Sequence, residues 1–366
     1  MIDRLRTATA KFALVLAVLA AGLSMAPAVA GAQAGPPWRV TAWGFGSKPS
    51  LEAAVAANGL DEVDVDWYFS HRDGHLGVAD NVKVWFVDQA HAAGIDVYAT
   101  ITNRLDEQHD FSGDIAQRIL STPFRRQHHA AHLVSLCLKN GYQGIDLDWE
   151  MIYPSDRARF SAFVEVLGQK LHARGLKLAI AVFPKTSEPG LWDTQKPYDY
   201  RRLGRAVNEF KIMCYPYHGS WTAPGPICPP GWADQILTFA ATRVAQRKIF
   251  LAIPFFGFDW YSGTAAGLHW DDAQALITDY GVTPTRTSSK EMTFRYRRSG
   301  VRHTVYYQDV GAIAAKLHLI RSHHPRMGGI SIWVMGGEDP LFWTKIQEKL
   351  KPGETPTPSP SPSPSP

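Results

Sequence analysis

Between residues 40 and 334, short apolar runs alternate with longer segments whose apolar positions recur every three or four residues. The runs at 40–45, 63–69, 97–102, 144–148, 178–183, 210–215, 249–255 and 330–334 have the length and the Val, Ile and aromatic content of strands. Segments such as 82–93, 125–139, 156–174 and 310–322 carry a helical period. Alternating strands and helices predict a parallel sheet, because each helix returns the chain to start the next strand in the same direction. Eight such strands predict an α/β protein of the TIM (β/α)8 barrel type. A dinucleotide-binding sheet fits less well, since no Gly-x-Gly-x-x-Gly follows the first strand. One interval is too long for a βα connection. Residues 259–308, between strands seven and eight, hold β-like segments at 292–296 and 303–307 and a helical one at 271–280. They predict a small α+β insertion on the barrel top, placed to wall a cleft.

The two ends have a different pattern. Arg4, Arg6 and Lys11 precede an apolar run at 12–25, and Ala28-Val29-Ala30 and Ala32-Gln33-Ala34 resemble cleavage sites. The run is shorter than the roughly 20 residues that span a bilayer. Residues 1–34 are therefore expected to be a signal peptide with a short extension. The mature chain would begin near 31 or 35, secreted or associated with the cell envelope, and without a membrane partner. Residues 351–366, rich in Pro, Ser and Thr, read as a linker or tail, which leaves 35–350 for the barrel.

Charge narrows the function. The net charge is only +4, and no Lys/Arg block is dense enough for a nucleic-acid groove. Arg295, Arg297, Arg298 and Arg302 read as a solvated hairpin face, and His128-His129 and His323-His324 as solvated surface. Twelve Trp residues are many for 366 positions, and flat aromatic faces suit the apolar faces of sugar rings. Trp43 and Trp260, near predicted strand ends, are candidates for sugar platforms or for core packing. Cys137, Cys214 and Cys228 are an odd set, so one thiol is left over. Export permits a disulfide, and Cys214 with Cys228 would close a surface loop.

The segment Gly144-Ile145-Asp146-Leu147-Asp148-Trp149-Glu150 carries the chemistry. On a strand, alternate residues share a face, so Asp146, Asp148 and Glu150 point together toward the barrel axis. Ile145, Leu147 and Trp149 point outward to the helices. Three acids on one buried face raise each other's proton affinity, which keeps one carboxyl protonated near neutral pH. A protonated carboxyl at the C-terminal end of a barrel strand suits glycosidic bond cleavage. The pattern alone leaves open a divalent-metal site, whose hydrolase would be chelator-sensitive, and a structural acid cluster.

That segment resembles the Asp-Gly-x-Asp-x-Asp-x-Glu signature of family 18 glycoside hydrolases, the chitinase and chitobiase family. Further segments resemble the same family in order: Met213-Cys214-Tyr215, Ile253 to Trp260, and Gly328 to Trp333 followed by Gly336 to Pro340. The stretch 303–319 resembles the bacterial branch that includes spore-cortex and peptidoglycan-directed members. The resemblance implies a retaining, substrate-assisted hydrolase of β-1,4-linked N-acetylglucosaminyl bonds in chitin oligosaccharides or peptidoglycan. It implies Glu150 as acid and then base, and Asp148 and Tyr215 on the substrate acetamide. Asp146 would hold Asp148, Met213 would line the site, Trp333 would form the sugar floor, and no cofactor would be needed.

Two positions depart from the pattern. Gln143 replaces the first acid of the signature, outside the three-acid row. Pro216 stands where many relatives carry Asp after the motif Tyr, which leaves Tyr217 and His218 as the nearby groups to contact substrate. Pro216 also motivates a competing expectation, a catalytically silent glycan-binding protein on the same fold. Glu150 argues against it, because lectin-like relatives usually lose the acid.

Overall fold

The computed structural model describes residues 38–80, 82–106 and 108–350, so the expected leader and tail lie outside the described residues. The chain runs β1 (Arg39–Gly44), α1 (Lys48–Ala56), β2 (Glu62–Ser70), β3 (Leu76–Val78), α2 (Val84–Ala92), β4 (Asp96–Thr102), α3 (Gly113–Leu120), α4 (Pro123–Asn140) and β5 (Gly144–Asp148). It continues through α5 (Arg157–His172), β6 (Lys177–Val182), α6 (Tyr200–Ala206), β7 (Glu209–Met213), α7 (Pro230–Ala241) and β8 (Ile249–Pro254). Next come β9 (Phe256–Tyr261), β10 (Thr264–His269), α8 (Trp270–Tyr280), β11 (Thr285–Arg286), β12 (Met292–Arg298) and β13 (Val301–Tyr307). The last elements are α9 (Val310–His323), β14 (Gly329–Met335) and α10 (Phe342–Leu350).

Eight parallel strands, in the order β1, β14, β8, β7, β6, β5, β4, β2, close because β1 pairs with both β14 and β2. This is the TIM barrel the alternation predicted. All eight expected strands are present, with no end shifted by more than two residues. The short β3 adds an antiparallel ribbon to β2. The insertion is a five-stranded antiparallel sheet, β10-β9-β13-β12-β11, carrying α8. It begins at Phe256, three residues before the expected 259, because β9 starts almost directly after β8.

Helix starts follow local chemistry. Thr122 accepts from the Arg125 amide and Pro123 opens α4, so that helix begins two residues ahead of the apolar period. Gly141 ends it at φ 71°, a left-handed conformation that a residue with a Cβ resists.

The main apolar core lies between barrel and helices. Ile145, Leu147 and Trp149 face it, and Trp149 stacks on Phe163 of α5 at 5.0 Å. The barrel interior is polar instead. Thr41 and Ser331 share a hydrogen bond there, and Glu62, Asp64, Asp146 and Lys211 are all fully buried. The arginine cluster on β12 and β13 is exposed, as expected.

The two histidine pairs are not simply solvated. His129 is fully buried, and burial pushes its pKa down to about 4. Its Nδ1 faces the Gly74 carbonyl at 2.8 Å, so that nitrogen carries the proton and Nε2 accepts from Ser70. Ser70 Oγ accepts in turn from the Trp149 indole at 3.2 Å, which pins the residue before Glu150. His323 and His324 both bond Asp234, and only His323 is exposed. A helix buries only one face, so neighbouring histidines at its edge differ in burial.

Candidate active site

Strand β5 delivers its acids as its alternation requires. Asp146 and Asp148 are buried inside the barrel, and Glu150 follows two residues past the strand end, partly accessible. Asp146 Oδ2 accepts from the Trp43 indole at 2.7 Å and from Thr100 Oγ1 at 3.3 Å. Its Oδ1 lies 3.4 Å from the Lys211 ammonium. Among the described residues no cation pairs with Asp148, though the Arg104 charge acts on it. Burial raises its pKa well above the usual carboxylate range, and the neighbouring Glu150, Asp146 and Asp66 add to the rise. Glu150 is pushed up to about 7 by burial, with the Arg104 cation opposing and Asp66 reinforcing the shift. Two carboxyls of one row thus favour their protonated forms, while Asp146 is held by two donors and the Lys211 ammonium.

The sequence reading missed a second acid row. Glu62, Asp64 and Asp66 alternate on β2 as the first row does on β5, and all three are buried. Lys211 on β7 bonds Asp64 at 2.6 Å and Glu62 at 3.1 Å. Arg104 holds Asp66 through both oxygens at 2.9 Å and stacks between Phe69 and Phe111. Burial raises Asp66 to about 6 despite that guanidinium. The signal was present in Glu62-Val63-Asp64-Val65-Asp66.

Asn103, at the end of β4, was missed as well. Its amide accepts from the Glu150 N–H at 2.8 Å and donates to the Glu150 carbonyl at 2.7 Å. The β4–β5 pairing stops at Thr102 and Asp148, so this side chain carries the ladder on to the acid. Tyr198 holds the preceding carbonyl, Trp149 O, at 2.6 Å. Gln143, in place of the family's acid, accepts from Val97 N and bonds His91 at the far end of β5.

The remaining candidates form the wall beside the acids. Trp43, Met213, Tyr215, Trp260 and Val334 pack into one buried apolar cluster, with Trp333 and the insertion's Phe256, Phe258 and Tyr306 against it. Trp333, partly exposed, meets Trp43 edge-on at 5.6 Å. Trp43 itself is 1% exposed, with its N–H spent on Asp146, so its ring supports Trp333 and Asp146 and offers no face for a sugar platform. Trp260 is 5% exposed and donates to the Gly219 carbonyl, which ties the insertion to the loop after β7. Tyr217 stands apart on the rim, 47% exposed and packed on Trp232. The buried Tyr215 hydroxyl and Asp148 Oδ1 find no hydrogen-bond partner among the described residues. Also among these residues, no three of His, Cys, Asp and Glu converge in a geometry that holds a metal ion.

A closed βα barrel with a proton-holding carboxyl row at the C-terminal end of one strand is the architecture of a TIM-barrel hydrolase. The chain belongs to glycosyl hydrolases family 18, whose sequence profile matches residues 108–338, and it is a glycosidase. It is 29% identical to an uncharacterized glycosylase, YvbX, of Bacillus subtilis, over 80% of this chain and 85% of that one. It is 26% identical to the cortical fragment-lytic enzyme of the same organism, over 66% of this chain and only 58% of that enzyme's length. Among solved structures it resembles a chitinase from Chromobacterium violaceum, with a TM-score of 0.79 and 30% identity, covering 86% of this chain and 99% of that one. The spore cortex-lytic enzyme SleL of Bacillus cereus shares the fold, with a TM-score of 0.77 at 24% identity, over 86% of this chain and 75% of that one.

Proposed function

We propose that this glycosidase cleaves β-1,4-linked N-acetylglucosaminyl bonds of chitin oligosaccharides or peptidoglycan, with retention and with the substrate's own acetamide as nucleophile. The relatives named as chitinase and as cortex-lytic enzyme support that substrate class. The observation that carries the reading is the pair of buried, unpartnered acetamide-binding groups, Asp148 Oδ1 and the Tyr215 hydroxyl, beside a carboxyl held at about 7. Unpaired buried polar atoms are costly, and an acetamide N–H and C=O would satisfy them.

In this scheme Glu150 protonates the departing glycosidic oxygen. The acetamide carbonyl oxygen attacks the anomeric carbon while Asp148 accepts from the acetamide N–H and Tyr215 donates to its oxygen. Lys211, Trp43 and Thr100 keep Asp146 fixed, which holds Asp148 in place while one of its oxygens accepts from the acetamide N–H as that group gains positive charge. Trp333 supports the sugar's apolar face. Glu150, now ionised, takes a proton from the water that opens the oxazolinium-like intermediate, restoring the original anomeric configuration.

The test is release of reducing ends, with product masses, from chitin oligosaccharides and from peptidoglycan. Wild type should act on one of them, forming the β-anomer first by NMR, and Glu150→Gln should lose the activity. An α-anomer as first product, or no turnover on either glycan, would sink this reading. We also propose that the chain is exported and cleaved near residue 31 or 35, motivated by the basic, apolar and small-residue order of residues 1–34. Amino-terminal sequencing of the extracellular and envelope fractions should find that new terminus. An intact Met1 confined to the cytoplasm would refute export.

A further inference from the structure

Cys214 directly follows β7 and precedes Tyr215, and Cys228 lies two residues ahead of α7. Both are fully buried, and their sulfurs stand 3.0 Å apart, inside the contact distance of two unbonded sulfur atoms. The chain between them is held independently of the sulfurs. Tyr217 N donates to Ile227 O at 2.7 Å, and His218 Nδ1 meets Pro226 O at 2.9 Å. The buried Glu291 accepts from the amides of Ile227 and Cys228 at 2.6 and 2.8 Å, and is itself paired with Lys316 at 3.3 Å. The scaffold therefore brings the two sulfurs together without their attraction, which is the condition for a bond to form between them without backbone movement. Cys137 is elsewhere, buried against the Gly144 carbonyl.

We propose that Cys214 and Cys228 are a cross-linking site, oxidised to a disulfide that closes the loop at 215–227 over the end of β7, while Cys137 stays a thiol. The oxidant is a disulfide of the surroundings, small-molecule or protein. One cysteine thiolate attacks it, the donor's S–S bond breaks, and a mixed disulfide and one free donor thiol result. The second cysteine then displaces the other donor thiol. The chain loses two electrons and two protons, and the donor disulfide gains them as two thiols.

Burial raises the Cys214 thiol well above its ordinary pKa, so exchange belongs to the stage before the loop closes, when the thiolate is accessible. Once formed, the bond is shielded from reductants by the same burial. Its effect on the site is positional. The loop carries Tyr215 at its root and the exposed Tyr217 and Trp221 at its rim, so the cross-link fixes an acetamide-binding group and part of the cleft edge in one step. The inference does not depend on which glycan is cut. Export would take the chain to an oxidising compartment, but the test below does not require it.

The full chain is unfolded, refolded in mixed reduced and oxidised glutathione, then denatured and alkylated. Label is expected at Cys137 alone. Trypsin leaves both partners in one peptide, residues 212–243, which should weigh two hydrogens less than its dithiol form. Chymotryptic cleavage after Tyr217 or Trp221 should leave its fragments joined. Replacing either partner, Cys214→Ser or Cys228→Ser, should expose the other to label, giving two labelled cysteines. Three labelled cysteines in the wild type, or a cross-link that includes Cys137, overturns the proposal.

Discussion

Glu150 sits close to its own midpoint at neutral pH, and its two neighbours pull in opposite directions. As the proposed acid, Glu150 would be competent only while protonated, so kcat/KM should fall as pH rises through about 7. Arg104 favours the ionised form, so Arg104→Gln should move that descending limb upward in a pH–rate profile. An unmoved limb would remove Arg104 from the tuning. The same shift has a stability sign. Folded Glu150 keeps its proton up to about 7, whereas the ordinary value is 4.5, so between these pH values the folded state binds the extra proton. Stability therefore declines as pH rises through that window. Glu150→Gln removes the decline, so its unfolding free energy relative to wild type should rise between pH 5 and pH 8, by an amount on the order of 2 kcal/mol. Asn103 acts on the same residue through its backbone. Asn103→Asp keeps an acceptor for the Glu150 N–H but sets a carboxylate against the Glu150 carbonyl. We expect kcat to drop roughly tenfold or more with KM little changed, since a small misplacement of a catalytic group is costly. A rise in KM alone would contradict that positioning role.

At the scale of elements, β2, β5 and β7 work as a set. Two strands bring carboxylates inward and a third supplies the ammonium that makes their burial tolerable. Burial disfavours the Lys211 cation, yet Asp146, Asp64, Glu62 and Glu209 hold its pKa well above the ordinary lysine value. Lys211→Met leaves those acids without their shared counter-ion. Breaking a buried ion pair costs about 3–5 kcal/mol. Denaturant unfolding should show a loss of that order at pH 7, smaller at pH 4 where the acids protonate. The first row was legible on β5 because strand alternation and a known signature coincided there. The second row has the same alternation, but three acids on a strand do not name their counter-ion, and Lys211 is distant in the chain. Trp43 shows the same limit from the other side. Its place at a strand end suited a sugar platform, and only packing revealed an indole turned down onto Asp146. His129 was read as solvated because a histidine pair on a helix gives no sign of which member faces the barrel.

For the whole molecule, the barrel and the insertion meet in the cluster of Trp43, Met213, Tyr215, Trp260 and Trp333, which places the insertion beside the acid row. A glycan bound there should stabilise the fold by mass action, by about 2.7 kcal/mol at a hundred times its Kd. Chitin oligosaccharide should therefore raise the melting temperature of Glu150→Gln, which is expected to bind without turnover. Adding Trp333→Ala should abolish most of that rise, and an undiminished rise would place the sugar elsewhere.

The order of apolar and polar positions was enough to determine eight strands, their helices, the insertion and the acid row on and just past β5. These depend on periods of two and of three to four residues, which neighbours along the chain set among themselves. Tertiary structure alone decided which cation meets which acid and that Asn103 extends a ladder onto Glu150. It also decided that Trp43 supports the site from below. Each of those joins residues far apart in sequence, and a pairing across the barrel depends on strand order, register and depth, none of which leaves a local period to read.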